Sequence, residues 1–334
     1  MKALVINRPG SVQVVDKPRP HPGRGEVLVK IKYCGICGSD LHAFESGYLD
    51  PSLTIGHEFS GIVYSTGSEC DQWKVGDYVT ANNIISCGTC ICCRDNRDNL
   101  CRNMRRLGIT ENGAMAEYAI IPEKNLVRLG YKNNLPQAAL AEPLSVGLHA
   151  IKRVKINTND RVLIIGGGTV GLIILMLLKY SDVNTVFVME PNHIRRSYAE
   201  SLGSTAAFDP GNMPTSQAIE QLTGGEGFKI IFECAGRAET IQEACNLGTA
   251  GSNIVVTGIC SQTVEMSFLS LVTHEVDMIT SFGKTSSEFK EAVKLIVNRS
   301  IDLSPLITSL IPIEKAGEAF KKTGDGQIKI MVSF

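Results

Sequence analysis

The chain has 334 residues, 43% of them hydrophobic and 20% charged, with a formal net charge of −1. That length exceeds what one hydrophobic core usually supports, so two domains are expected. A near-zero charge without long runs of one sign excludes the electrostatic footprint of a nucleic-acid or anionic-membrane binder.

The first third reads as β-rich. Ala3–Ile6, Val12–Val15, Val27–Ile31, Ser60–Tyr64 and Tyr78–Ala81 are short β-branched runs separated by Gly, Pro and Asp. Residues 82–114 are polar, hold Cys87, Cys90, Cys92, Cys93 and Cys101, and show no helical or strand period. A loop of that length inside a compact domain is normally functional or tied down. From about residue 155 strands and helices alternate. Strands are expected at Arg161–Ile165, Thr185–Met189, Ala206–Phe208, Lys229–Glu233 and Asn253–Thr257. Helices are expected at Val170–Lys179, His193–Leu202, Pro214–Leu222 and Ala238–Leu247. That alternation is the pattern of βαβ units in a parallel sheet. The tail adds a helix near Ser287–Val297 and strands around Leu306–Leu310 and Ile328–Met331. The longest apolar run, Val170–Leu178, is too short to cross a bilayer, and MKALVINRPG does not read as a secretion signal. A cytoplasmic protein without membrane or nucleic-acid partners is expected. The 11 cysteines are an odd number, which speaks against a disulfide scaffold and for metal ligation by the clustered ones.

Gly166-Gly167-Gly168-Thr169-Val170-Gly171 is G-x-G-x-x-G directly after an apolar strand and before an apolar helix. In that context it reads as a dinucleotide turn. Gly166 permits the tight turn, Gly168 the approach of a pyrophosphate, and Gly171 close helix–strand packing. Glu190, at the end of TVFVME, is placed to accept from the adenosine ribose hydroxyls and to repel a 2′-phosphate, which favours NAD over NADP. Arg195 nearby is a residue type that takes a 2′-phosphate.

Cys87-x-x-Cys90-x-x-Cys93-x7-Cys101 offers four thiolates at metal-ligand spacing, the pattern of a closed structural zinc site. Cys92 breaks the even spacing and is left out. Free thiols and an iron–sulfur cluster are the rival readings, and zinc is the commoner occupant of a redox-inert loop. A second group is scattered. Cys37, His57 and Glu58 supply a thiolate, an imidazole and a carboxylate, the mixed set of a catalytic zinc with a free position. Spacing alone does not join these residues to one another or to Glu142.

The motifs CGICGSDLH, GHEFSG, CGTCICC…C, AEPLSVGLHA and GGGTVG, with HEVDM near residue 277 and QIKIMVSF at the end, resemble the zinc-containing medium-chain dehydrogenase/reductase superfamily. Within it the chain is most similar to the sorbitol (polyol) dehydrogenase branch, essentially end to end. The resemblance implies an α/β protein with a GroES-like catalytic domain over residues 1–150, to which 285–334 return, and a Rossmann domain over 151–284. It implies Cys37, His57 and Glu58 as zinc ligands, with Glu142 hydrogen-bonding the zinc water or itself ligating. It implies Cys87, Cys90, Cys93 and Cys101 around a second zinc. For NAD it implies Val170, Glu190 and Arg195 on the adenosine half, and Thr257, Gly258, Ile259, Ser281, Phe282 and Gly283 on the nicotinamide half. A homodimer or homotetramer is the implied assembly.

The implied reaction is oxidation of a secondary alcohol to a ketone, by hydride transfer from a zinc-bound alkoxide to NAD, or its reverse. Ser39 would take the substrate proton and pass it through the cofactor ribose to His42 near solvent. Ser39 can also serve as a helix N-cap before LHAFES. Asp40 would fix the tautomer of His57, or act as a helix N-terminal acid. L-threonine, butanediol and polyol-phosphate dehydrogenases of the same superfamily are the alternatives. Polyol dehydrogenases tend to carry an aromatic after the relay His and an Arg-aromatic pair near residue 282. Here those positions are Ala43, Gly283 and Lys284. That suggests open space beside Ala43 and, for Lys284, either an anchor for an anionic substrate group or a solvated loop lysine. A zinc-ribbon module is disfavoured by charge and leaves the Gly-rich turn unexplained. An inactive relative is disfavoured by the intact Cys37, His57, Glu58 and Ser39.

Overall fold

The computed structural model describes residues 1–130, 135–322 and 326–334. Contacts divide the chain into an outer unit, Met1–Ser145 with Lys284–Phe334, and a central unit, Val146–Gly283. The second break falls before Lys284, so that residue belongs to the outer unit.

The outer unit opens with β1 (Lys2–Arg8) and β2 (Ser11–Asp16), an antiparallel pair. There follow β3 (Glu26–Gly35), α1 (Gly38–Ser46), β4 (Glu58–Thr66), β5 (Tyr78–Ala81), β6 (Ile84–Ile85) and α2 (Ile91–Arg94). Then come β7 (Arg105–Arg106), β8 (Tyr118–Pro122), β9 (Leu126–Arg128) and α3 (Leu135–Ala138). α4 (Ala141–Lys152) leads into the central unit. That unit comprises β10 (Arg161–Ile165), α5 (Thr169–Tyr180), β11 (Thr185–Met189), α6 (His193–Ser201), β12 (Ala206–Phe208) and α7 (Thr215–Thr223). It continues with β13 (Phe228–Glu233), α8 (Ala238–Leu247), β14 (Gly248–Val256), α9 (Phe268–Thr273) and β15 (Asp277–Thr280). The chain returns through α10 (Ser286–Val297), β16 (Ile307–Pro312), α11 (Ala316–Lys322) and β17 (Lys329–Ser333).

In the outer unit the main sheet runs β16-β17-β3-β4-β5-β9, with β8 also paired to β3. β3 is the spine, because its Val27, Val29, Ile31 and Cys34 are fully buried in the unit's core. It is long enough to hold two neighbours along one side: β8 along its first half and β17 at its last residues. That last end matters for chemistry. Gly35 stands opposite Glu58 of β4 and opposite Met331 of β17, so the strand register brings residues far apart in sequence to one corner.

The central sheet is all parallel in the order β12-β11-β10-β13-β14-β15. This is the doubly wound Rossmann arrangement, reversing between β10 and β13, where such sheets bind ligands. Val162, Leu163 and Ile164 of β10 are fully buried, as a strand covered on both faces requires. α5 is apolar nearly all round and buried from Gly171 to Leu175.

Three features depart from the sequence-based expectation. Residues 82–114 contain short regular pieces after all: β6 pairs with β7, and one helical turn starts at Cys90. Such elements are too short to show a period. α1 begins at Gly38 with Cys37 as its N-cap, so Ser39 lies inside the helix and does not cap it. α9 and β15 were not anticipated. α9 exposes Phe268, Leu269 and Val272, and β15 is short and mostly exposed, so neither shows a clean buried face.

Candidate active site and metal centres

In the central unit every residue proposed for the dinucleotide lies on or just beyond the C-terminal ends of the parallel strands or in the helices that follow. Gly166 has φ 103°, and a Cβ there would press on Ala235. A Cβ at Gly171 would sit 1.9 Å from the carbonyl oxygen of Gly166, so only glycine lets α5 pack this close to the turn. A Cβ at Gly168, the N-cap of α5, would meet nothing within 4 Å. Open space over a helix N-terminus is what a pyrophosphate needs, and Val170 follows in the first turn of α5. Glu190 is 5% exposed just after β11. Its Oε2 accepts from the Gly167 N–H (2.8 Å) and its Oε1 from the Asn192 N–H (2.9 Å), tying the carboxylate to the Gly-rich turn. Arg195 lies in the first turn of α6, capped by Asn192. Its neighbour Arg196 donates to the carbonyl oxygens of Glu190 and Pro191. Thr257 and Gly258 donate to the Glu233 carbonyl oxygen, and Ile259 beyond them is exposed. Ser281 donates to the Val256 carbonyl oxygen at the end of β15; Phe282 is exposed, and Gly283 has φ 60°.

In the outer unit the sulfurs of Cys87, Cys90, Cys93 and Cys101 converge within 4.8 Å. Cys90 Sγ lies 3.5 Å from Cys93 Sγ and 4.0 Å from Cys101 Sγ, and Cys87 Sγ lies 3.9 Å from Cys93 Sγ. A tetrahedron with metal–sulfur bonds of ~2.3 Å has edges of ~3.8 Å, so the spacing fits zinc. Backbone N–H groups of Thr89 and Cys90, with the Thr89 hydroxyl, hold the Cys87 thiol down to about 5, and Cys90 is lowered by backbone donors. Burial and the neighbouring sulfurs push Cys93 up to about 12. The loop is thus prepared for thiolates but crowds them, and a dication relieves the crowding. The Cys92 side chain lies outside the set.

The mixed set also converges: ligand atoms of Cys37, His57 and Glu58 lie within 4.8 Å of one another. Cys37 comes from the start of α1, while His57 and Glu58 enter β4. Cys34, the other thiol of CGICG, is fully buried; burial and the nearby Asp40 and Glu58 carboxylates push it far up, out of thiolate chemistry. His57 presents Nε2 to the Ser39 hydroxyl at 3.4 Å and Nδ1 to Asp40 Oδ1 at 3.7 Å. The latter is an ion-pair distance, and Nδ1 has no hydrogen-bond partner. Asp40 Oδ2 accepts from the Cys37 N–H at 2.9 Å, so this carboxylate both caps α1 and faces the imidazole. His42 is exposed one turn later, its ring 5.7 Å from that of Tyr48.

Glu142, in the first turn of α4, is buried but outside the converging set. Its carboxylate pairs with Lys284, whose Nζ also donates to Asn83 Oδ1 at 2.5 Å. Burial disfavours the charge on Glu142, but Lys284, with His57, holds its carboxyl below the ordinary carboxylate value. Lys284 is 1% exposed and its ammonium is held by Glu142 and Asn83, which corrects the reading of it as a solvated loop lysine. Ala43 is likewise corrected: it is fully buried in the core of the outer unit, so no open space adjoins it. It shares the inward face of α1 with Asp40.

Sequence reasoning missed Lys329, the first residue of β17. It is 3% exposed and donates to both oxygens of Glu58, at 2.6 and 2.9 Å. Burial works against its charge, but Glu58 and Cys37 outweigh that and raise it. A lone Lys inside the apolar run Ile328–Val332 was the available signal.

The charges test whether a metal fits. Among the described residues, Asp40, Glu58, Glu142 and an ionised Cys37 face only Lys284 and Lys329 as buried ammonium groups. Two negative charges remain, the complement of one divalent cation. Burial disfavours a charged His57, yet Asp40, Cys37 and Glu142 overcome it and push His57 up to about 10. Zinc held by Cys37, His57 and Glu58 would take over that charge.

Residues 23–131 match the family model "Alcohol dehydrogenase GroES-like domain", and residues 169–298 match "Zinc-binding dehydrogenase". The 2-dehydro-3-deoxy-L-galactonate 5-dehydrogenase of Pseudoalteromonas atlantica is 31% identical, over 93% of this chain and 91% of its own. The sorbitol dehydrogenase of Halalkalibacterium halodurans is 29% identical, over 100% and 99%. A crystal structure from Sinorhizobium meliloti 1021, described as a zinc-binding dehydrogenase bound to NADP, superposes with a TM-score of 0.93. It has 31% identity, with 100% of this chain and 99% of that one covered. With these matches and both donor sets in place, the chain belongs to the zinc-containing medium-chain dehydrogenase/reductase superfamily, in its sorbitol-dehydrogenase-like branch, and is an oxidoreductase acting on CH–OH groups.

Proposed function

We propose that this chain oxidises a secondary alcohol of the polyol, sugar-alcohol or cyclitol type to a ketone with NAD as hydride acceptor, or runs the reverse. The observation that carries this reading is the convergence of Cys37, His57 and Glu58 in a mostly buried corner whose two unmatched negative charges complement one divalent cation. Zinc held there supplies Lewis acidity that lowers the pKa of a substrate hydroxyl, and the nicotinamide supplies the hydride acceptor. The chain's own residues supply the rest. Asp40 orients His57, and Lys329 holds Glu58 in place at the shared strand end. Ser39, half-buried beside His57, is the inner end of a proton path; His42, exposed at i+3 on the same helix face, is its outer end.

The test is alcohol-dependent reduction of NAD, with and without a chelator. The panel is polyols, sugar phosphates, inositol derivatives, 2,3-butanediol and threonine. Chelator-sensitive turnover of at least one secondary alcohol is expected. No turnover of any by zinc-replete protein overturns the reading.

The preference for NAD rests on Glu190, whose fixed carboxylate accepts from ribose hydroxyls and repels a phosphate. The Sinorhizobium relative carries NADP, so the point needs its own measurement. Glu190→Ala should cut the NAD/NADP ratio of kcat/KM by roughly 10- to 100-fold, the worth of a few kcal/mol. An equal ratio in the parent protein refutes the preference.

A homodimer is supported by β15, the edge strand of the central sheet, beside exposed Phe268, Leu269 and Val272 on α9. Light scattering on Leu269→Glu should show monomer where the parent shows dimer; a parent monomer at micromolar concentration overturns it. A cytoplasmic location is proposed with it. Among the described residues no helix is long and apolar enough to cross a membrane.

A further inference from the structure

Two buried carboxylates flank the mixed metal site, and each carries a buried lysine: Glu58 with Lys329, Glu142 with Lys284. They differ in one respect. Glu58 offers an oxygen within 4.8 Å of the Cys37 and His57 ligand atoms, and Glu142 does not. Glu142 is nonetheless near enough to His57 for each to influence the other's charge. Any movement of Glu142 toward that set would draw its carboxylate away from Lys284.

Lys284 is itself firmly held. Asn83 Oδ1 accepts a hydrogen bond from its ammonium, and α10 starts at once behind it. Thr285 caps that helix and exchanges hydrogen bonds with Glu288. Ser286 donates its N–H and hydroxyl to Asp98 and receives a bond from Asn82. Asp98 sits between Cys93 and Cys101, so the four-cysteine loop forms one wall of this anchorage. Moving Glu142 to the metal would strip the buried Lys284 ammonium of its carboxylate partner, a costly step.

We infer that Lys284 is a positioning residue that keeps Glu142 out of the metal's coordination sphere, leaving the metal to Cys37, His57 and Glu58. Glu142 then stays free, through its Oε2, to accept a hydrogen bond from whatever hydroxyl occupies the open position. The inference rests on the metal reading above, but its test reads coordination and not turnover. Cobalt is exchanged into the mixed site while the four-cysteine site keeps zinc, with metal content checked by elemental analysis. The d–d spectrum then reports coordination number.

Glu142→Gln is isosteric and should leave the cobalt spectrum unchanged, since Glu142 is not a ligand. Lys284→Met should shift the spectrum to that of a higher coordination number and tighten metal binding about 10- to 100-fold in a chelator competition. Removing a cation near a metal also tightens binding by charge alone. The spectrum separates the two causes, because charge alone changes affinity and leaves the coordination number as it was; with Glu142→Gln added, the spectral shift should vanish. A changed spectrum in Glu142→Gln, an unchanged one in Lys284→Met, or a spectral shift that survives in the double variant overturns the role of Lys284. A protein that takes up no metal beyond the four-cysteine site fails at the metal count, which identifies the metal reading itself as the error.

Discussion

The four-cysteine loop and the mixed site sit in one unit and hold converging donors, yet they are built in opposite ways. Cys87 to Cys101 is one short, mostly half-exposed stretch with little hydrophobic core of its own. Its thiols are prepared by local backbone N–H groups, and its metal would stand in for missing core packing. Cys37, His57, Glu58, Asp40, Glu142, Lys284 and Lys329 come from across the outer unit and are mostly fully buried. There the sheet exists first, and the charges are arranged on it. A locally built site makes structure from metal. A site built on an existing sheet holds a metal at a chosen charge and leaves a position free for chemistry.

Substitutions can break or sharpen this contrast. Cys37→Ala removes a donor from the sheet-built site. Turnover should fall by roughly 10³-fold or more, since Lewis-acid stabilisation is worth several kcal/mol at about 1.4 kcal/mol per decade. Thermal unfolding should move little; a collapse of the fold in calorimetry would make both sites alike.

Cys93→Ser should do the reverse. Losing a structural metal costs several kcal/mol, so Tm should drop by roughly 10 °C or more. Elemental analysis should show one zinc fewer per chain. An unchanged Tm with full zinc content would show that the loop holds itself without the fourth sulfur.

Asp40→Asn keeps the cap on the Cys37 N–H and removes the charge facing His57. Zinc affinity at the mixed site should weaken roughly 10- to 100-fold, while the four-cysteine site keeps its metal. Equal loss from both sites in a chelator titration would erase the distinction.

Ser286→Ala probes where the two regions touch, because its hydroxyl joins Asp98 of the loop to Asn82. The Ser286 N–H keeps its bond to Asp98, so stability should fall by only about 1 kcal/mol. Zinc affinity at the mixed site should shift by a few-fold at most. A larger shift, measured by chelator competition, would mean that the loop governs the mixed site through Lys284.

Sequence by itself determined whatever depends on neighbours along the chain. The strand–helix alternation after residue 155, the tight turn at Gly166 and the close packing at Gly171 were legible because a βα turn is a local object. So was the four-cysteine loop, whose spacing is its geometry. Tertiary structure alone decided what depends on register and burial. That Glu58 stands opposite Gly35, and that β17 brings Lys329 to it, follows from the pairing of three strands distant in sequence. Whether Ala43 faces a pocket or the core, and whether Lys284 is solvated or buried against Glu142, turns on which face of an element is covered. Here the side chain's charge and size mislead, because a buried lysine and a solvated one are the same letter. Only the packing around it says which carboxylate it holds, since the low dielectric there makes that pairing obligatory.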